Sequence, residues 1–105
     1  KNEMNEHKNE LFVGRLGIDP VLKYTPKQKP VCELSIAINS RTTQKTTWKK
    51  VIVWGKQAEL CNLYLKKGKQ VFVQGRRQLR EFMTSDGEKR RCEEVIASLI
   101  GFSNL

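Results

Sequence analysis

The sequence predicts an all-β domain with a single helix: a five-stranded Greek-key barrel whose helix lies between the third and fourth strands. Several runs alternate apolar and polar residues with the period of two that is typical of strands. One run instead repeats apolar residues at the spacing of three and four that is typical of a helix. Turn residues separate these runs at short intervals, and 105 residues leave room for one domain.

The first third of the chain predicts two strands and a short extended piece. Residues 1–9 are polar without periodicity and predict a flexible arm, so the domain itself is expected over residues 10–105. Glu10–Gly17 reads as the first strand, in which Gly14 suggests a bulge or bend. Val21–Tyr24 is a short extended piece that a proline-containing loop closes. Val31–Asn39 alternates clearly and predicts a half-buried second strand.

The third predicted strand, Trp48–Trp54, carries the most informative pattern. Side chains on a strand point alternately to opposite faces. One face therefore holds Trp48, Lys50, Ile52 and Trp54, and the other holds Lys49, Val51 and Val53. Aromatic rings stack on exposed bases and lysine attracts phosphates, so the first face suits an unpaired nucleic-acid strand. Tryptophan in a strand is also common in cores and interfaces, and that reading stays open on this pattern alone.

Two segments flank this strand. The polar stretch from Ser40 to Thr47 predicts a hairpin loop whose Arg41 and Lys45 are available to phosphates. On the other side, Gln57–Lys67 changes to helical spacing, and Gly68 is expected to end the helix.

A long strand and its return complete the predicted fold. Gln70–Met83 is expected to bend at Gly75, and the dipeptide Asp86-Gly87 predicts a tight hairpin into the last strand, Lys89 to about Phe102. The even positions of the long strand form a second aromatic and basic face, comprising Phe72, Arg76, Arg80 and Phe82. The number and order of these elements fit the OB-fold, a partly open five-stranded barrel.

Composition narrows the partners. A formal net charge of +9 and a pI near 9.8 favour a polyanionic partner. No apolar run approaches the ~18 residues of a spanning helix, so a soluble, cytoplasmic protein without membrane contact is expected. Cys32, Cys61 and Cys92 are widely spaced and accompany one histidine, which argues against disulfides and zinc and favours reduced, buried thiols.

An enzyme is not expected from this sequence. General acid–base or nucleophilic chemistry needs a poised histidine, a carboxylate pair or an activated cysteine. The two aspartates, Asp19 and Asp86, lie in predicted turns, and Glu93 and Glu94 point to opposite sides of a strand. No cofactor is predicted.

Several segments together resemble a known family. The run from Trp48 to Gly68 combines Trp-x-x-Val, an aromatic residue before Gly-Lys-x-Ala-Glu, and Tyr-Leu-x-Lys-Gly. Further landmarks follow in the same order and at similar spacing, namely Gly14–Pro20, Tyr24–Pro26, Gly68–Gly75 and Asp86-Gly87. Over residues 9 to about 99 the chain is thus similar to the bacterial single-stranded DNA-binding proteins. Motifs that match in register are more specific than any one of them.

The resemblance implies a function and a site. It implies sequence-nonspecific binding of single-stranded DNA, nucleoid association, and a role in replication, recombination and repair. Trp48, Trp54 and Phe82 match positions whose aromatic rings stack on bases, while Lys50 and Arg80 match basic positions of the DNA face. An RNA-binding OB-fold module, a primosome-accessory protein and a purely structural subunit remain alternatives.

Three departures from the family pattern qualify the resemblance. The loop from Ser40 to Thr47 is short and contains no aromatic residue, so one stacking platform of the family is missing. Lys49 replaces a common histidine near the subunit contacts, so a homotetramer is expected but a dimer is also compatible. The chain ends at Leu105 without the acidic tip that recruits other proteins in the family, and no recruitment by that route is expected.

Overall fold

The computed structural model describes residues 8–102 and contains six strands and one helix. The strands are β1 (Lys8–Leu16), β2 (Val21–Tyr24), β3 (Pro30–Asn39), β4 (Thr46–Trp54), β5 (Gln70–Met83) and β6 (Lys89–Phe102). The helix α1 spans Lys56–Tyr64, between β4 and β5. The predicted arm over residues 1–9 lies outside the described residues except for its last two positions, which begin β1.

The strand pairings return to their starting point. β1 pairs with β5, β5 with β6, β6 with β4, β4 with β3, and β3 again with β1. All of these pairs are antiparallel except β4 and β6, which run parallel. The ring therefore contains five strands, and β2 pairs with the first half of β3 on the edge that β1 uses further along.

The ring closes where β1 meets β3, and Gly14 makes this approach possible. Arg15 and Leu16 are the β1 residues in register with β3. A Cβ atom on Gly14 would lie 2.5 Å from both the Ala37 carbonyl oxygen and the Ile36 Cγ2 atom. The register between β1 and β5 runs unbroken past Gly14, so this glycine marks a close approach of two backbones and not a bulge.

The core lies inside this ring, as the alternation of each strand predicts. Alternate residues of β3, β4 and β5 point inward and are almost completely buried. The largest of them are Leu34, Ile36, Val51, Val53, Val71 and Val73. α1 adds Ala58 and Cys61 to the core and packs mainly against β3. Each fully buried aliphatic side chain contributes roughly 1.5–3 kcal/mol of transfer free energy.

Two sequence predictions need correction. The sequence predicts five strands, and six are present among residues 8–102. The additional strand is Val21–Tyr24, which is predicted as a short extended piece and pairs with β3. The helix was expected to reach Lys67 and ends at Tyr64, because Leu65 is extended and buried in the core. The chain then turns at Gly68, whose φ is +90° and whose N–H donates to the Leu16 carbonyl over 2.8 Å.

The two predicted irregularities of the last strands are confirmed. β5 shifts its register with β6 between Gln74 and Gly75. The hairpin between β5 and β6 is closed by a hydrogen bond from the Thr84 N–H to the Glu88 carbonyl over 2.8 Å, and Gly87 has φ +87°. A glycine adopts this left-handed conformation without steric cost. No helix among residues 8–102 is long and apolar enough to cross a membrane.

Candidate nucleic-acid interface

β4 presents its aromatic residues on the outside of the ring. Trp48 is 60% exposed and Trp54 is 41% exposed, whereas Val51 and Val53 between them are buried. Lys50 lies between the two indoles on the same outer side and is partly exposed. The parity prediction for this strand is confirmed, because Val51 and Val53 lie in the core and the even-numbered residues face outward.

Each tryptophan ring has a neighbour that the sequence analysis did not assign to the site. A Cβ atom on Gly17 would lie 2.5 Å from the Trp48 ring, so the indole rests against this glycine. The Lys29 ammonium lies 5.5 Å from the centroid of the Trp54 ring, within the range of a cation–π interaction. The position of Lys29 next to Trp54 follows from the pairing of Val31 with Trp54, which a loop sequence cannot show.

The far half of β5 carries a second aromatic and basic pair. Phe82 is 41% exposed, and the Arg80 guanidinium carbon lies 5.7 Å from the centroid of its ring. Both residues lie on the part of the β5–β6 hairpin that follows the register shift at Gly75. β6 lies between β5 and β4, so this pair and the two tryptophans are carried by strands on either side of β6.

A buried carboxylate on β6 links the two groups. Glu94 is only 3% exposed. It accepts a hydrogen bond from the Arg80 Nε over 2.9 Å, and the Lys50 Nζ lies 3.6 Å from the same oxygen. The hydrogen bond and the negative charge of Glu94 raise the pKa of Arg80 above its ordinary value. Lys50 also pairs with Glu33 of β3 over 3.3 Å. Glu94 is not among the residues that the sequence predicts for the site.

Three further predicted cations are exposed around this region. Arg76 stands in register with Ile96, which is itself in register with Ile52 of β4, so its position is in the row next to Lys50. Arg41 and Lys45 lie in the loop between β3 and β4. Among residues 8–102 none of these three cations forms an ion pair.

Phe72 shares its strand and parity with Arg80 but lies in different surroundings. It is in register with Val13 of β1 and Gly101 of β6. A shallow, mostly apolar depression is lined by Val13, Gln70, Val71, Phe72, Gly101 and Phe102. The structure thus separates Phe72 from the tryptophans, although the sequence placed all of these aromatic residues on outward-facing positions.

Cys32 and Cys61 are buried thiols with raised pKa values. Burial raises the pKa of the Cys61 thiol to about 12, and it also raises that of Cys32. Because the thiolate is the reactive form, these cysteines are poor nucleophiles at neutral pH. No group of three or more histidine, cysteine or acidic residues within residues 8–102 is placed to hold a metal ion.

Comparison with known proteins agrees with this geometry. The chain matches the model of the single-strand binding protein family over residues 8–103. Single-stranded DNA-binding proteins from a serogroup A and a serogroup B strain of Neisseria meningitidis are each 34% identical to it over 95 residues. The alignment covers 84% of this chain and 55% of each relative, so the chain spans about half the length of the curated relatives it matches. Because the match covers every described residue and more than half of the chain, the chain belongs to the single-strand binding protein family.

Proposed function

We propose that the protein binds single-stranded DNA without sequence preference. The observation that carries this proposal is the exposure of three aromatic rings, Trp48, Trp54 and Phe82, next to cations on the outside of a closed sheet. Bases stack on such rings at a gain of ~1–3 kcal/mol each, whatever their identity. A closed duplex hides the faces of its bases, so a single strand is the preferred partner.

The cations give the proposed site its affinity for phosphate. Lys50 and Arg80 lie beside the rings, Arg76 is one row further along, and Arg41 and Lys45 flank the site from the β3–β4 loop. Phosphate contacts of this kind release counterions, so binding should weaken with salt at a log–log slope of about −0.7 per phosphate contacted. Binding of this kind needs no cofactor and no catalysis, and we infer that the protein is not an enzyme.

The ring of strands supports an OB-fold assignment, which family membership also implies. We infer that residues 10–105 form a single five-stranded Greek-key barrel of this type, with α1 between the third and fourth ring strands and β2 as an addition. Bacterial relatives named for single-stranded DNA binding favour a cytoplasmic protein associated with the nucleoid. Replication, recombination and repair are the processes that expose such strands.

We further propose that the protein assembles with copies of itself. The outer faces of β1, β5 and β6 expose apolar side chains in neighbouring rows, at Leu11, Val13, Phe72 and Leu99. The edge of β1 opposite β5 is paired with β3 only at Arg15 and Leu16 among the described residues. An apolar face beside an unpaired strand edge favours contact between subunits through their first strands. A tetramer is the proposed state, with a dimer as the alternative.

Tryptophan fluorescence on addition of oligo-dT tests the proposed function. We expect strong quenching by the single strand, no comparable response to a matched duplex, and a weakening of binding across a salt series. No quenching, or an equal response to the duplex, would contradict the proposal and favour a structural subunit. Competition by oligo-rU measured in the same way tests the RNA-binding alternative, because a stronger response to oligo-rU would favour it.

Substitution of a stacking residue isolates the aromatic contribution. Trp54→Ala should weaken binding to any sequence by the loss of one stacked base, ~1–3 kcal/mol, or roughly 5- to 150-fold. Fluorescence anisotropy of labelled oligo-dT measures this affinity. The matched control is Tyr64→Ala, which removes an exposed aromatic ring from α1, away from the proposed site. Equal affinity of Trp54→Ala and the parent protein would refute the stacking assignment.

A further inference from the structure

Glu94 is the one buried charged residue among residues 8–102. It lies on β6, between β4 and β5. It is adjacent in sequence to Val95, which faces the core, so its side chain points to the outside of the ring. Burial of an unpaired carboxylate is costly, and Glu94 meets this cost through three neighbours. These are the Arg80 Nε at 2.9 Å, the Gln78 Nε2 at 3.5 Å and the Lys50 Nζ at 3.6 Å.

The two cations that pair with Glu94 lie beside proposed stacking rings: Lys50 is between Trp48 and Trp54 on β4, and Arg80 is next to Phe82 on β5. In the protein without DNA, Lys50 and Arg80 are therefore already paired with a protein anion. Glu33 adds a second carboxylate to Lys50. The other proposed phosphate contacts differ, because Arg41, Lys45 and Arg76 have no such partner among residues 8–102.

A phosphate that approaches Lys50 or Arg80 meets the negative charge of Glu94 within a few ångströms. A small cleft of about 90 Å³ between β4 and β6 is lined by both Lys50 and Glu94, so the pair borders a space open to a ligand. The phosphate must share Lys50 and Arg80 with the Glu94 carboxylate. The positive charge available to neutralise the phosphate is therefore reduced by up to one unit. At about 4 Å and with the full screening of bulk water, one unit charge changes affinity by roughly fivefold.

We infer that Glu94 is an internal anion that limits how tightly the protein holds single-stranded DNA, and that it sets the salt dependence of binding through Lys50 and Arg80. The inference rests on the proposed function. Glu94 also orients Arg80 above Phe82, so it is a positioning residue as well as a competitor. DNA therefore binds these two cations more weakly, and dissociates from them more readily, than it would if Glu94 were uncharged.

The substitution Glu94→Gln tests the inference, because glutamine keeps the shape and a hydrogen-bond acceptor but removes the charge. We expect affinity for oligo-dT at low salt to rise about fivefold. The magnitude of the log–log salt slope should increase by about 0.7, which corresponds to one additional phosphate neutralised. Fluorescence anisotropy across a salt series measures both quantities, and circular dichroism with thermal unfolding establishes that the variant is folded.

Glu81→Gln is the matched control. It makes the same change of charge on β5, at a residue whose side chain is 64% exposed, pairs with Arg91 at 3.5 Å and does not line the cleft. We expect less than a twofold change in affinity from this control. If Glu94→Gln does not fold, Glu33→Gln removes the exposed second partner of Lys50 and should strengthen binding in the same direction by about twofold.

A double-mutant cycle with Arg80→Gln gives the sign of the coupling. If Glu94 competes with phosphate, Arg80→Gln should weaken binding more in the Glu94→Gln background than in the parent. Unchanged or weaker binding by folded Glu94→Gln, or an equal gain from Glu81→Gln, would overturn the inference while the parent still binds oligo-dT. Failure of the parent to bind oligo-dT would instead overturn the proposed function.

Discussion

Trp48 owes its position to Gly17, a residue that no sequence motif connects to it. The indole lies against the glycine so closely that a Cβ atom would contact the ring at 2.5 Å. Contacts below about 3.0 Å require one of the two groups to move. Because Trp48 is largely exposed, its side chain can move outward at little cost to the core. The absence of a side chain at Gly17 therefore lets the Trp48 ring lie against the backbone. A substitution at Gly17 should affect the position of the ring more than the stability of the fold.

Gly17→Ala should displace the Trp48 ring and weaken oligo-dT binding about fivefold, a fraction of the ~1–3 kcal/mol of a stacked base. The change in unfolding free energy should stay below about 1 kcal/mol, as for other surface substitutions. Anisotropy and thermal unfolding measure the two effects. Gly101→Ala is the control, because its Cβ would make only an ordinary contact of 3.9 Å with Phe72. Binding equal to that of the parent would show that Trp48 does not depend on Gly17.

The β3–β4 hairpin carries its two cations on a closed turn. The Ser40 N–H donates to the Lys45 carbonyl over 3.0 Å, and the Gln44 N–H donates to the Ser40 carbonyl over 2.9 Å. The Ser40 hydroxyl accepts a further hydrogen bond from the Thr43 N–H. Since the backbone and Ser40 hold the turn, the exposed side chains of Arg41 and Lys45 are not needed for its shape. They are available for phosphate at the edge of the proposed site.

Arg41→Gln combined with Lys45→Gln should reduce the magnitude of the salt slope by up to about 1.4, since each phosphate contact contributes about 0.7. Stability should be unchanged. The control is Lys66→Gln with Lys67→Gln, which removes the same charge from the turn that follows α1. A salt series of oligo-dT titrations distinguishes them. If both double variants lower the slope equally, only the net charge of the protein matters and the hairpin makes no specific contact.

The assembled molecule separates two kinds of outer surface. The region around Trp48, Lys50 and Arg80 is aromatic and charged, whereas the outer faces of β1, β5 and β6 around Phe72 are apolar. This separation arises because β5 is long and its two halves have different neighbours. β1 and β6 flank the first half, and among residues 8–102 β6 alone pairs with the half beyond Arg77. One strand therefore contributes to the proposed DNA site and to the proposed subunit contact.

Phe72→Asp should lower the molar mass of the protein in solution, because a carboxylate at the centre of an apolar contact is poorly solvated. Sedimentation equilibrium or light scattering after size exclusion gives the mass. Leu63→Asp serves as the control, since Leu63 is an apolar residue on α1 that is 67% exposed, against 36% for Phe72. A monomeric parent protein, or a parent and Phe72→Asp variant of equal mass, would contradict the proposed assembly.

The sequence predicts which residues of β3, β4 and β5 point inward, that β5 is irregular at Gly75, and where the β5–β6 hairpin turns. It also contained the segments that identify the family. These properties are local, because the period of a strand and the turn preference of Asp86-Gly87 depend on residues adjacent in the chain. Val51 and Val53 could thus be assigned to one face of β4, and Trp48 and Trp54 to the opposite face, without any tertiary information, whereas the exposure of the two tryptophans could not.

Which surface residues are neighbours depends on the tertiary structure. Alternation gives the side of a strand on which a residue lies, but not the strand that lies beside it. Lys50, Arg80 and Glu94 come from three strands, and they meet because β6 is inserted between β4 and β5. Phe72 lies apart from the tryptophans because β5 pairs with β1 at this position. The helix ends before Leu65 because the side chain of Leu65 is buried in the core. Closure of the ring, which depends on residues far apart in the chain, fixes each of these relations.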